Sequence, residues 1–259
     1  EKYIPGKDYR VLVINGRVAA VARRIPARVI GDGIHTISDL VKISNKDIRR
    51  GDAHEKPLTK IIIDDISKRV LHKQGFTVDS VPPKGKSVYL KENGNLSTGG
   101  EAIDCTDRIH PENCDIAIRA ASVIGLDIAG IDFACQDISQ PITTTGGAII
   151  EVNAAPGIRM HLYPSKGKPQ NVAESIVDML FPVGSKHSIP IISITGTNGK
   201  TTTARMVSHI FRVFGMNVGT AVTGGIYIND KCYIEGDTTG PQSAKTVLMD
   251  KTIDVAVLE

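Results

Sequence analysis

Residues 191–203, IISITGTNGKTTT, constrain this chain most: an apolar β-branched run, a Gly-rich turn, a Lys, then three Thr opening a helix. A strand over 191–195 would hand the chain to a loop whose amides curl around phosphate oxygens, with Lys200 adding charge and the Thr201 hydroxyl available to Mg²⁺. The helix expected next, 202–214, points its positive end at the same anion. The nucleotide-binding residues of this stretch are then Gly196, Thr197, Asn198, Gly199, Lys200, Thr201 and Thr202. The eight-residue phosphate-loop pattern asks for Gly six positions before the Lys, where this chain has Ile194, so the generic pattern fails. A plain Gly/Asn turn between strand and helix explains neither the Lys nor the Thr residues after it.

A length of 259 residues with 41% hydrophobic content allows a core sufficient for one large domain or two. The formal charge of +3, set against 31 basic and 28 acidic residues, gives no reason to invoke nucleic acid. Cys105, Cys114, Cys135 and Cys232 form no C-x-x-C pair, which fits a reduced cytoplasmic compartment better than a disulfide framework or zinc site. No apolar run of about 18 residues is present to span a bilayer. The opening EKYIPGKDYR, already at a strand entry, and the close DVAVLE, on a strand end, read as a fragment of something longer.

Apolar runs at 10–14 and 17–22 flank Asn15-Gly16, the two-residue signal of a type I′ hairpin. A strand and turn over 25–33 follow, then an amphipathic helix over 36–45 with Ile37, Leu40 and Val41 on one face and Thr36 or Ser38 as cap. Residues 49–60, RRGDAHEKPLTK, read as a polar loop that either holds polymer charge or is simply solvated. A helix over 64–73 stops at Gly75, 87–90 is strand-like, and ENGNLSTGG at 92–100 is either a mobile loop or a pocket wall. Residues 113–124 and 171–181 have helical spacing, while 128–133 and 148–153 read as paired strands. PVGSKHSIP at 182–190 has linker composition. The expected fold class is α/β in two parts: an α+β portion on an antiparallel sheet over 1–181, then the opening of a P-loop α/β domain over 191–259.

Residues two apart in a strand face the same side, so Glu151 and Asn153 in IIEVNAAPG project together. Antiparallel pairing with 128–133 lets Asp132 in AGIDF join them, giving three hard oxygen ligands suited to Mg²⁺ bridging nucleotide phosphates. The competing reading puts both carboxylates on a solvated sheet face. Their otherwise apolar strands argue against it, because an unpaired charge there is costly.

The stretches EKYIPGKDYRVLVING, RIPARVIGDGIHTISDL, AGIDF and EVNAAPGIRMH resemble the ATP-grasp fold of carboxylate–amine ligases, starting at its hinge strand. Bifunctional glutathione synthetases share RIPARVIGDGIHTI more loosely. The resemblance implies ATP and Mg²⁺ as cofactors, with Asp132, Glu151 and Asn153 as the metal ligands. It places Glu1, Lys2 and Ile4 at the hinge beside adenine and Asp8 on the ribose hydroxyls. The family's nucleotide-binding lysines and glycine-rich lid precede the hinge, so little or no ATP turnover is expected of these 259 residues alone. Where D-alanine–D-alanine ligases carry an Arg two positions before the metal Asp, this chain has Gly130. Arg24, Arg119 and Arg159 are candidates to supply that cation; Arg159 ranks first because it follows the metal strand directly, although a surface role is equally open to it. Arg159 and His161 are then the catalytic candidates, lining the acceptor side with Ser165, whereas His161 out of this context is more often a packed or solvated histidine.

ITGTNGKTTT, GDTTGPQSA and DVAVLE resemble the opening of a Mur ligase central domain, whose phosphate loop has this short Gly-Thr-Asn-Gly-Lys-Thr spacing. Glu259 matches the acidic residue that family uses on a Mg²⁺ near the γ-phosphate, with Thr201 as a second metal ligand; Glu259 is otherwise just a chain end. An ATP-grasp module followed by a Mur-like domain implies a two-site ATP-dependent ligase working through acyl phosphates. One half would add aspartate to the backbone of multi-arginyl-poly-aspartate, and the other would attach arginine to the aspartate side chain. The implied partners are aspartate, arginine and an Asp-Arg polymer primer, with no nucleic acid and no membrane, in a homo-oligomer. Two rival readings stand beside it: another ATP-grasp/Mur-type peptide ligase acting on a different acidic peptide, and a nucleotide-binding module that does no chemistry.

Overall fold

The computed structural model describes residues 3–53, 55–185 and 188–259, and the chain parts between Pro182 and Val183 into two compact units. The first unit opens with β1 (Lys7–Ile14) and β2 (Arg17–Ile25), an antiparallel hairpin. Asn15 and Gly16 turn it at φ of 49° and 69°, the left-handed pair that a type I′ turn requires.

After β2 the chain builds an insertion from β3 (Arg28–Ile30), α1 (Ile37–Ser44), β4 (Arg50–Gly51), β5 (Leu58–Thr59), α2 (Asp65–Lys73) and β6 (Ser87–Tyr89). It has its own core, in which Val29, Ile37, Leu40, Leu71, Val88 and Leu90 are buried. Thr36 and Asp64 cap the two helices by accepting from the amides of Asp39 and Ser67. Residues 49–60 depart from the expected loop: β4 and β5 pair in parallel, and Arg50, on β4, is buried. Its guanidinium donates to the carbonyls of Thr59 and Gly99 at 2.6 and 3.2 Å, which satisfies a charge that would otherwise have stayed in water.

The main sheet continues with β7 (Glu101–Asp104), α3 (Pro111–Ile124), β8 (Ile128–Cys135), α4 (Ile142–Thr145), β9 (Ala148–Asn153), α5 (Arg159–Leu162) and α6 (Val172–Leu180). Strand order is β7-β2-β1-β8-β9, antiparallel throughout. Helix α3 starts at Pro111, two residues before the expected helix, because Pro suits the first helical position and the His110 ring accepts from the Glu112 amide. One sheet face packs Tyr9, Val11, Val13, Ile131 and Phe133 on Ala117 and Ala121 of α3. Each such large side chain contributes about 1.5–3 kcal/mol by leaving water. The other face is apolar at one end, where Leu12, Ile14 and Ala20 meet Val172, and carries Asp8, Arg10, Arg24 and Asp132 at the other. Beyond β7, the Ser165 amide donates to the Ala102 carbonyl at 2.8 Å and the Asp104 amide to the Lys166 carbonyl at 2.9 Å.

The second unit consists of β10 (Ile191–Ser193), α7 (Lys200–Val213), β11 (Val218–Val222), β12 (Gly225–Ile228), β13 (Lys231–Glu235), α8 (Pro241–Leu248) and β14 (Val255–Leu258). Its sheet runs β10-β14-β11-β12-β13, the first three strands parallel and the last two antiparallel. Ala204 of α7 packs on one face against Val218, Val222, Val255 and Val257. Val247 of α8 packs on the other face with Ala221, Ile253 and Ala256. Strand β10 ends two residues earlier than expected and α7 begins two earlier. Gly199, at φ 74°, opens the helix from a left-handed conformation, so Lys200 is its first residue. Among the described residues no helix is long and apolar enough to cross a membrane.

Candidate active site

The charged end of the first sheet is built by register. Arg10 on β1 sits opposite Asp132 on β8, and Asp132 sits opposite Glu151 on β9, with Gly130 opposite Asn153. A bulge follows immediately, because Phe133 pairs with Ile149; this leaves Ile150 as the extra residue, 61% exposed. Asp132, Glu151 and Asn153 line one cavity of about 370 Å³, together with Asp8, Arg10 and Arg24. The donor set reaches three oxygen groups only by counting the Asn153 amide, since no cluster of three His, Cys, Asp or Glu occurs among the described residues. Carboxylate and amide oxygens on rigid strands are hard donors of the type that Mg²⁺ prefers.

Asp132 is 5% exposed and ion-paired to two arginines. Arg10 grips both its oxygens through Nε and Nη2, and Arg24 Nη2 reaches Oδ2 at 2.9 Å. A second cavity, about 580 Å³, shares Asp8 and Arg24 with the first and is walled by Tyr3, Ile4, Tyr89 and Lys91. Ile4 and Asp8, the hinge and ribose candidates, therefore meet in one nucleotide-sized space; Glu1 and Lys2 lie outside the described residues. Glu92 and Asn95 line these two cavities, so 92–100 serves as pocket wall.

Arg159 and His161 do not line the Asp132 cavity. Arg159 donates to the Lys56 carbonyl at 3.0 Å and the Thr59 hydroxyl at 3.4 Å, tying α5 to β5 and the residue two before it. His161 is 2% exposed with no partner for Nε2 among the described residues, and burial, assisted by the nearby Arg10 charge, pushes its pKa down to about 4. Ser165 Oγ is likewise buried without a partner among the described residues. Arg119 is exposed on α3. The cations on Asp132 are Arg10 and Arg24, the second of them one of the three candidates from the sequence. Arg10 could have been noticed in the sequence as the one charge inside YRVLVI, two positions from Asp8 and so on its side of the strand.

In the second unit the parallel order explains the other constellation. Strand β14 lies between β10 and β11, so its carboxyl end delivers Glu259 beside the loop that leaves β10. Glu259 accepts from the Thr201 hydroxyl at 2.8 Å, the Thr223 hydroxyl at 3.0 Å and the Thr223 amide at 3.3 Å. Desolvation works against its charge, but these bonds and Lys200 together hold its carboxyl below the usual range. The amides of residues 195–199 donate to no acceptor among the described residues, and Gly196 holds φ of 150°. Free amides at the start of a 14-residue helix, with Lys200 beside them, form an anion cradle.

Residues 90–180 match the RimK-like ATP-grasp domain, and residues 194–259 match the Mur ligase middle domain. Over all 259 residues the chain is 56% identical to cyanophycin synthetase of Synechocystis sp. and 54% identical to that of Trichormus variabilis, covering 30% and 29% of those proteins. It is 40% identical to the glutathione biosynthesis bifunctional protein of Clostridium perfringens over 70% of this chain and 23% of the relative. A crystal structure of a bifunctional glutathione synthetase from Pasteurella multocida matches with a TM-score of 0.61 at 37% identity, over 70% of this chain and 24% of that one. The chain spans less than a third of the length of the curated relatives it matches. It is thus similar from end to end to cyanophycin synthetase, and a segment that matches the RimK-like ATP-grasp domain precedes one that matches the Mur ligase middle domain.

Proposed function

We propose that this chain contributes two nucleotide sites to an ATP-dependent acid–amino acid ligase that builds multi-arginyl-poly-aspartate. The observation that carries the reading is the meeting of Asp132, Glu151, Asn153 and Asp8 with two arginines in one cavity of the first unit. In this reading 1–181 is the later portion of an ATP-grasp domain, 182–190 a linker and 191–259 the first portion of a Mur-like domain. Mg²⁺-ATP, when bound, supplies the phosphoryl group that turns an unreactive carboxylate into an acyl phosphate.

The chain's own residues do the rest. Asp132, Glu151 and Asn153 hold the metal, while Ile4 and Asp8 hold adenine and ribose in the adjoining space. Arg10 and Arg24 take the role first assigned to Arg159: cations fixed on neighbouring strands, placed to offset charge that builds between γ-phosphate and acceptor carboxylate. Arg159 anchors Lys56 and Thr59, and His161, kept neutral by burial, lies within reach of the Arg10 charge. In the second unit the amides of 196–199, Lys200 and Thr202 bind the phosphates, with Thr201 and Glu259 on a second metal ion. Aspartate would be added at the first site and arginine at the second, on an Asp-Arg primer.

The test is made on the full-length ligase containing this chain, supplied with primer, ATP, aspartate and arginine. Glu151→Gln should abolish aspartate-dependent phosphate release and spare arginine addition to a prepared acceptor. Loss of both activities would contradict the division of labour, and a wild-type enzyme that releases no phosphate with aspartate would remove the assignment.

A further inference from the structure

Asp132 has little left to offer an incoming metal. A carboxylate presents about four lone-pair directions, and three contacts already reach this one: Arg10 Nε on Oδ1, Arg10 Nη2 on Oδ2 at 3.1 Å, and Arg24 Nη2 on Oδ2 at 2.9 Å. Arg10 is 7% exposed, so its charge has little recourse to water. The arrangement is built into the strands. A Cβ at Gly130 would fall 2.9 Å from Arg10 Cδ, 3.1 Å from Arg10 Nη1 and 2.7 Å from Pro156 Cβ, so the guanidinium crosses β8 only because position 130 has no side chain. A divalent cation arriving alone meets two fixed positive charges, and displacing them strands a buried guanidinium without an acceptor. Phosphate oxygens remove that obstacle, because they fit the guanidinium fork as well as a carboxylate does.

We infer that Arg10 and Arg24 guard Asp132, so that the strand site takes a divalent cation only together with a phosphate chain, the arginines passing from carboxylate to phosphate as the metal takes their place. The inference rests on the reading of Asp132 as a metal ligand. The step is an exchange of ion pairs in which no covalent bond changes. By linkage, metal and phosphate chain raise each other's affinity by the same factor.

The test uses Mn²⁺ as probe on the full-length ligase containing this chain, read by water-proton relaxation and equilibrium dialysis, and counts only binding that Asp132→Asn removes. Wild type should show no such binding with Mn²⁺ alone at millimolar concentration, and at least tenfold tighter binding with a non-hydrolysable ATP analogue present. Arg24→Gln, which leaves the Arg10 pair in place, should bind Mn²⁺ without nucleotide at least tenfold more tightly than wild type. Arg24→Lys, which keeps the charge and loses the fork, should fall between them, and it carries the test if circular dichroism shows Arg24→Gln unfolded. The guard is refuted if wild type binds Mn²⁺ equally well with and without the analogue, or if the Arg24 variants leave metal-alone binding unchanged. Binding that Asp132→Asn never alters, in any of these proteins, removes the metal-ligand reading itself.

Discussion

The two candidate sites reach the same chemistry from opposite materials. In the first unit the site is made of charged side chains on the faces of antiparallel strands, with Asp132 and Arg10 buried and paired. In the second it is made of backbone: amides of a glycine-punctuated loop at a helix start, with one carboxylate delivered by the neighbouring strand. The first ties ligand binding to the stability of the fold, since each charge is held in place by another. The second can lose function while the fold stands, since its loop lies outside the sheet and packs little.

That contrast is sharpest at Arg10. Arg10→Met should destabilise the first unit by about 3–5 kcal/mol, because it leaves Asp132 buried with one fewer partner; urea denaturation read by circular dichroism measures it. A variant within 1 kcal/mol of wild type would break the comparison. Next comes His161, whose pKa is pushed from 6.5 to about 4. The unfolded chain binds more protons than the folded one between these values, so the contribution is full above pH 6.5 and lost as pH falls towards 4. The loss should approach about 3 kcal/mol, and His161→Gln should flatten this part of the stability–pH curve. Gly199→Ala should cost only about 1–2 kcal/mol, since φ is 74° but a Cβ there meets nothing within 4 Å; binding of a fluorescent ATP analogue to the second unit should nevertheless fall at least tenfold. Smallest of all, Thr201→Val should leave the unfolding midpoint within error and yet weaken Mn²⁺-dependent nucleotide binding in that unit. A large stability loss there would erase the distinction between the sites.

Much of this was legible before any coordinates. Asn15-Gly16 specified the opening hairpin, and the two-residue spacing of Glu151 and Asn153 with the alternation in AGIDF specified the side of the sheet they share with Asp132. The order of parts in 191–203 placed the turn between β10 and α7 to within two residues. What escaped was non-local. Pairing of Arg10 with Asp132 joins positions 122 apart, and proximity in sequence favoured Arg159 instead. The two-residue strands β4 and β5 and the four-residue β7 are too short for an alternating pattern, and Arg50 read as part of a polar loop because its acceptors are carbonyls, which carry no signature in the sequence.

The backbone bonds from 165–166 to Ala102 and Asp104 give β7 a partner on the side away from β2. A strand at the margin of a sheet is normally an invitation to pair with another molecule, through its row of free amides and carbonyls. Here Asp104 turns that margin into an interior position, accepting on its side chain from Thr106, Lys168 and Gln170. Gly167 can lie against it only because it lacks a Cβ, which would come within 2.6 Å of the Asp104 Cβ. The same few residues that follow the helix of Arg159 and His161 therefore protect this margin of the sheet from self-association.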